Sequence, residues 1–138
     1  MDAFRVACIV DDDPIFVMVI KKMIEITQFS DEVVVYGNGS EALDALHHAS
    51  ATDLPDVILL DLNMPIANGW DFLDNFSQGT LAGKIPVYIV TSSIDPRDRE
   101  RAASYAVVRD FLVKPIRMPQ LRAILGATTD GNEGKMTG

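Results

Sequence analysis

Three carboxylates stand in a row at Asp11, Asp12 and Asp13, directly after the apolar run 6–10. A fourth, Asp61, closes the apolar run 57–60. Carboxylates packed together raise one another's pKa unless a cation neutralises them. A hard divalent ion that takes oxygen ligands, Mg²⁺ first among them, meets that need. Other polar groups follow further apolar runs. Thr91, with Ser92 and Ser93, follows one, Lys114 follows another, and Asn63 lies two residues beyond Asp61. Carboxylates, a hydroxyl and an ammonium together suit an electrophile carrying a phosphoryl group. A cation and Lys114 can neutralise its oxygens, Thr91 can hydrogen-bond one, and an aspartate can attack the phosphorus. Asp13 precedes Pro14 and reads as a helix cap rather than a ligand.

Such residues meet only if the elements before them end at one edge. The chain alternates strand and helix. Strands are predicted at 5–10, 32–36, 56–60, 86–91 and 110–113. Helices are predicted at 14–28, 40–49, 69–77, 96–105 and 119–125, with Asn38-Gly39 marking a turn and Asp95 capping the fourth helix. Runs 6–10 and 57–60 read as buried strands of a parallel sheet. Five βα units imply an α/β fold with helices on both faces and right-handed crossovers. In such sheets ligands bind beyond the carboxyl ends of the strands, where the strand order reverses. The aspartates belong there.

Composition narrows the function classes. A length of 138 residues, nearly half of them apolar, suits one folded domain. The net charge of −8 argues against direct DNA binding, which needs clustered Lys and Arg. The lone Cys8 falls in a predicted strand and packs as a small hydrophobe, in keeping with a cytoplasmic location. No signal peptide and no membrane-spanning run are evident. The polar, glycine-rich stretch 127–138 is expected to be a disordered tail.

Four motifs, Val10-Asp11-Asp12-Asp13-Pro14, Leu60-Asp61-Leu62-Asn63-Met64-Pro65 with Gly69, Val90-Thr91-Ser92 and Val113-Lys114-Pro115, resemble the receiver domain of bacterial two-component response regulators. The segments 68–73 and 92–98 look like stand-alone receivers of the Bacteroidetes type. The resemblance places a receiver domain over 1–126 and implies a flavodoxin-like (βα)5 fold with strand order 2-1-3-4-5. It implies a single-domain response regulator in which Asp61 accepts a phosphoryl group from a histidine kinase or histidine phosphotransfer protein. Asp12 then resembles the direct metal ligand and Asp11 the ligand acting through water. Asp61 and the backbone carbonyl of Asn63 complete the set. Lys114 resembles the lysine that pairs with the phosphoryl group. Thr91 resembles the switch hydroxyl, and Phe111 the switch aromatic that turns inward on activation. Asn63 and Ser93 hold the positions that tune the phosphoryl lifetime. The Lys114-Pro115 bond is expected to be cis. Such a protein catalyses only its own phosphorylation and dephosphorylation. It would engage a downstream protein through helix four, strand five and helix five, with a phosphorylation-linked homodimer left open.

Two rivals stand beside this reading. An aspartate-nucleophile phosphatase of the haloacid dehalogenase type needs an acid where Asn63 stands. A partner-binding module without phosphorylation would not need Asp61, Thr91 and Lys114 together. In helix one, Phe16, Ile20, Met23 and Thr27 make a core face, and Ile15 and Met18 are left on a flank where a kinase's helical domain could dock. His47 and His48 read as surface residues, and Trp70 as packing at the start of helix three.

Overall fold

The computed structural model describes residues 3–65 and 68–126. Five strands, β1 (Phe4–Val10), β2 (Ser30–Tyr36), β3 (Val57–Leu60), β4 (Val87–Thr91) and β5 (Val108–Val113), pair in parallel in the order β2-β1-β3-β4-β5. Between them run α1 (Pro14–Thr27), α2 (Gly39–His48), α3 (Gly69–Ser77) and α4 (Pro96–Ala103), and a last helix, α5, spans 118–126. The flavodoxin-like order therefore stands. The expected tail at 127–138 lies outside the described residues.

Alternation along the inner strands builds two cores. Ala7, Ile9, Val57, Leu59, Tyr88 and Val90 pack with Ile20, Met23 and Ile24 of α1 and Leu121 and Ile124 of α5. Their neighbours Cys8, Val10, Ile58, Leu60, Val87 and Ile89 pack with residues of α2, α3 and α4 on the opposite face. A strand buried on both faces needs apolar residues along its length, as β3 has throughout and β4 has up to its terminal Thr91. Burial pushes the Cys8 thiol up to about 12, so it stays protonated and packs as a hydrophobe.

Local chemistry sets the helix ends. The Asp13 carboxylate accepts from the backbone N–H groups of Ile15 and Phe16, and Pro14 opens α1. Asn38, Asn68 and Asp95 cap α2, α3 and α4 in the same way. Gln28 closes α1 in the left-handed region at φ 56°. On α1, Ile20, Met23 and Ile24 are buried, whereas Ile15 and Met18 are 68% and 65% exposed. Ile15 and Met18 therefore form the exposed flank expected of them. No helix among the described residues is long and apolar enough to cross a membrane.

Candidate functional site

The strand order reverses between β2 and β3 on either side of β1, so a crevice opens at the carboxyl ends of β1 and β3. Asp11 and Asp12 leave β1 into that crevice and Asp61 leaves β3. The backbone N–H of Asp61 donates to the Val10 carbonyl at 2.9 Å, which fixes the two strand ends side by side. Asp11, Asp12 and Asp61 each offer an oxygen, and these oxygens lie within 4.8 Å of one another. Asp11 and Asp61 are buried, and Asp12 is exposed.

Lys114 reaches the same point from the end of β5. Its Nζ lies 2.8 Å from Asp11 Oδ2 and 3.6 Å from Asp61 Oδ2. The lysine backbone N–H donates to the Thr91 carbonyl at 2.8 Å. The Lys114-Pro115 bond is cis, as expected. The ammonium also sits over the Phe16 ring, 4.2 Å from its centroid. Sequence reasoning placed Phe16 in the α1 core face and did not foresee this contact. One turn of α1 had to be docked before it became visible.

Three carboxylates outnumber one ammonium. Burial is the largest influence on Asp11 and pushes its pKa above the ordinary carboxylate value, and Asp61 pushes the same way. Lys114 and the Asp13 N–H oppose them. The buried Asp11 Oδ2 is met by the Lys114 ammonium at 2.8 Å, which leaves the clustered carboxylates with more negative charge than one ammonium can offset. Three converging carboxylates are a donor set that fits a hard divalent cation.

Thr91 is fully buried at the end of β4. Its Oγ1 accepts from the Ser93 backbone N–H at 3.3 Å and from Asn63 Nδ2 at 3.4 Å. The Asn63 backbone N–H in turn donates to Asp61 Oδ1 at 3.3 Å. Asn63 and Thr91 therefore belong to one network with Asp61. The Ser93 hydroxyl donates to Asp98 Oδ2 at 2.5 Å and accepts from the Asp95 N–H at 3.3 Å, so both bonds run to the start of α4. Phe111, the expected switch aromatic, is buried in the same core cluster as Ala102 of α4, with the Arg99 guanidinium 4.9 Å from its centroid. β5 is an edge strand, and this inward side is the one on which an aromatic ring can leave water.

Gly69 carries the geometry of the nucleophile-bearing loop. A Cβ at this position would collide with the Asp61 carbonyl oxygen and come within 2.8 Å of Leu62 Cα. Neither is a flexible side chain, so α3 can approach the β3 end only through glycine. Gly69→Ala should therefore cost about 1–3 kcal/mol of stability. It should also displace Asp61 and slow any chemistry there. Urea unfolding of the variant would measure the first effect, and a cost near zero would show that the loop yields freely.

His47 and His48 are exposed on α2, away from the acidic crevice, as expected. Trp70 packs at the start of α3, stacked on Tyr105 with centroids 6.2 Å apart.

A parallel sheet with this order, with acids at its reversal point and a threonine and a lysine on neighbouring strand ends, defines a phosphoryl-receiving class of α/β domain. The family model described as response regulator receiver domain matches residues 7–126, and the chain belongs to that family. A two-component response regulator from Cytophaga hutchinsonii superposes with a TM-score of 0.80 at 28% identity, over 89% of this chain and 97% of that one. The probable methanogenesis regulatory protein FilR2 of Methanothrix harundinacea is 30% identical over 83% of this chain and 74% of its own length. The receiver domain of the sensor histidine kinase PA1611 from Pseudomonas aeruginosa, with a magnesium ion coordinated in its active site cleft, shares the fold. Its TM-score is 0.74 at 22% identity, over 90% of this chain and 96% of that one. The chain is thus a receiver domain of the two-component signalling class.

Proposed function

We propose that this chain is a single-domain response regulator whose receiver domain occupies residues 1–126 and whose phosphoryl acceptor is Asp61. The observation that carries the reading is the Lys114 ammonium lodged between Asp11 and Asp61 at 2.8 and 3.6 Å. An ion pair withdrawn from water is weak evidence for stability, since replacing all its members by apolar side chains is often neutral or stabilising. A lysine that faces two carboxylates from a third strand end therefore points to a role in the chemistry of the site. It supplies a fixed positive charge where phosphoryl oxygens would arrive.

In the proposed reaction an Asp61 carboxylate oxygen attacks the phosphorus of a phosphohistidine on a histidine kinase or histidine phosphotransfer protein. The new O–P bond forms as the N–P bond breaks, and the imidazole leaves with the electron pair and takes up a proton. Lys114 balances charge on one phosphoryl oxygen, and the Thr91 hydroxyl donates to another. Asp12, Asp61 and the Asn63 backbone carbonyl would hold Mg²⁺, with Asp11 acting through water. The ion supplies charge neutralisation to the transferring group. Water later cleaves the aspartyl-phosphate. Asn63 flanks that approach, and Ser93 influences it from the β4–α4 connection. The chain acts on no other substrate and signals from the cytoplasm to a downstream protein through α4, β5 and α5. Phosphorylation favours one of two arrangements of that face.

Intact mass measurement after incubation with Mg²⁺ and acetyl phosphate tests the core of this reading. One phosphoryl group labile to alkali and to hydroxylamine is expected, and its absence would overturn the assignment. Mg²⁺ affinity separates the ligand roles. Asp12→Ala should weaken binding by more than about tenfold and by more than Asp11→Ala does. Calorimetry giving the reverse order would exchange the two roles.

A further inference from the structure

α4 has little apolar attachment to the domain. Of its residues Pro96–Ala103, only Ala102 is buried. One alanine supplies little hydrophobic burial, so polar and aromatic contacts decide where this helix sits. Its carboxyl end is fastened to α3. The Tyr105 hydroxyl donates to Asp74 Oδ1 at 2.5 Å, and the Arg101 guanidinium lies 4.1 Å from the Trp70 ring centroid. Its amino end is fastened by the 2.5 Å bond from the Ser93 hydroxyl to Asp98. The same Ser93 gives its backbone N–H to the Thr91 hydroxyl oxygen at 3.3 Å.

We propose that Asp98 is a positioning residue: through Ser93 it restrains the Thr91 hydroxyl and holds the domain in its unphosphorylated arrangement. The inference rests on the reading of Asp61 and Thr91 given above. Moving the Thr91 oxygen toward a phosphoryl oxygen stretches its 3.3 Å bond from the Ser93 N–H or draws Ser93 with it. Drawing Ser93 along works against its bond to Asp98, and with Ser93 held by Asp98 the alternative is to lose the Ser93 N–H contact. A charge-assisted hydrogen bond is among the stronger single polar contacts, so it biases the equilibrium toward the restrained state. Release at the amino end of α4 is the step that frees Thr91, with the Trp70–Tyr105 contact as the fixed end.

Beryllofluoride with Mg²⁺ imitates a phosphoryl group on a carboxylate and reports the bias as an affinity. Calorimetric titration of the full chain compares the parent with Ser93→Ala, Asp98→Ala and the double variant. Each single variant should bind roughly five- to twentyfold more tightly. The double variant should bind no more tightly than either, because all three lack one and the same contact. Asp98→Asn keeps an acceptor oxygen but loses the charge, so it should bind more tightly than the parent and less tightly than Asp98→Ala. Ser93→Ala leaves the Asp98 charge in the first turn of α4, so tightening in Asp98→Ala alone would reflect a loosened helix and overturn the proposal. Unchanged or weaker affinity in both singles would overturn it as well. A parent chain that binds no beryllofluoride at all would overturn the site reading and this inference with it.

Discussion

Asp61→Asn should fold as the parent does and take up no labile phosphoryl group from acetyl phosphate in Mg²⁺. The amide matches the carboxylate in shape, and its oxygen can still accept the Asn63 N–H at the place where Oδ1 now does, 3.3 Å away. It lacks the charge that makes the oxygen a nucleophile. Rate should fall to background, a loss of at least about 10³-fold, since no neighbouring group can substitute without a change of geometry. Asp12 is exposed and Asp11 is held by the Lys114 ammonium, so neither is placed to attack from the same side. Stability should stay level or rise, because one of two buried acids is removed. Intact mass and thermal unfolding are the measurements. Undiminished uptake of a labile phosphate would place the acceptor at another residue.

The acids, the hydroxyl and the ammonium were legible in the sequence because each directly follows a strand, and the topology of a parallel sheet brings strand ends together whatever the side chains do. The limits of the outer strands were harder to read. β2 begins at Ser30 and β5 at Val108, two residues earlier than the apolar runs suggest. Edge strands carry polar residues on their open side, here Asp31 and Glu32, Arg109 and Asp110. Their sheet membership comes from backbone pairing such as Val87 with Val108. α4 ends at Ala103 rather than at Tyr105, with Ser104 and Tyr105 bonding back to Arg101 and Ala102 in a tighter turn. The short 3₁₀ turn Ala51–Asp53 carried no periodic signal. Asp98 and Phe16 were not legible as site neighbours. An acid in a helix's first turn and an aromatic on a helix's core side are what those positions commonly hold. Only the packing of α4 and α1 against the sheet gives them a second role.

Lys114→Met should lower stability by about 3 kcal/mol at pH 7 without Mg²⁺, the usual cost of removing one partner from a buried charge pair. The lysine side chain is 15% exposed, and the Asp11 and Asp61 side chains are 2% and 6% exposed, so water can do little to replace the ammonium. Methionine keeps the stem and its packing near Phe16, which confines the change to charge. Burial already raises the Asp11 pKa against the opposing pull of Lys114, and losing that pull raises it further. A carboxyl whose folded pKa lies above its unfolded value binds its proton more tightly in the folded state. Its contribution to stability is complete below the unfolded pKa of about 3.9 and is lost as pH rises through the folded value. The variant should therefore approach the parent as pH falls from 7 toward 4. Saturating Mg²⁺ should also narrow the gap at pH 7, because a divalent ion can take over the task of the missing ammonium. Urea unfolding at several pH values, with and without Mg²⁺, reads both effects. A deficit that persists unchanged across that range would mean that Lys114 stabilises the fold through packing and not through the charge it brings to Asp11 and Asp61.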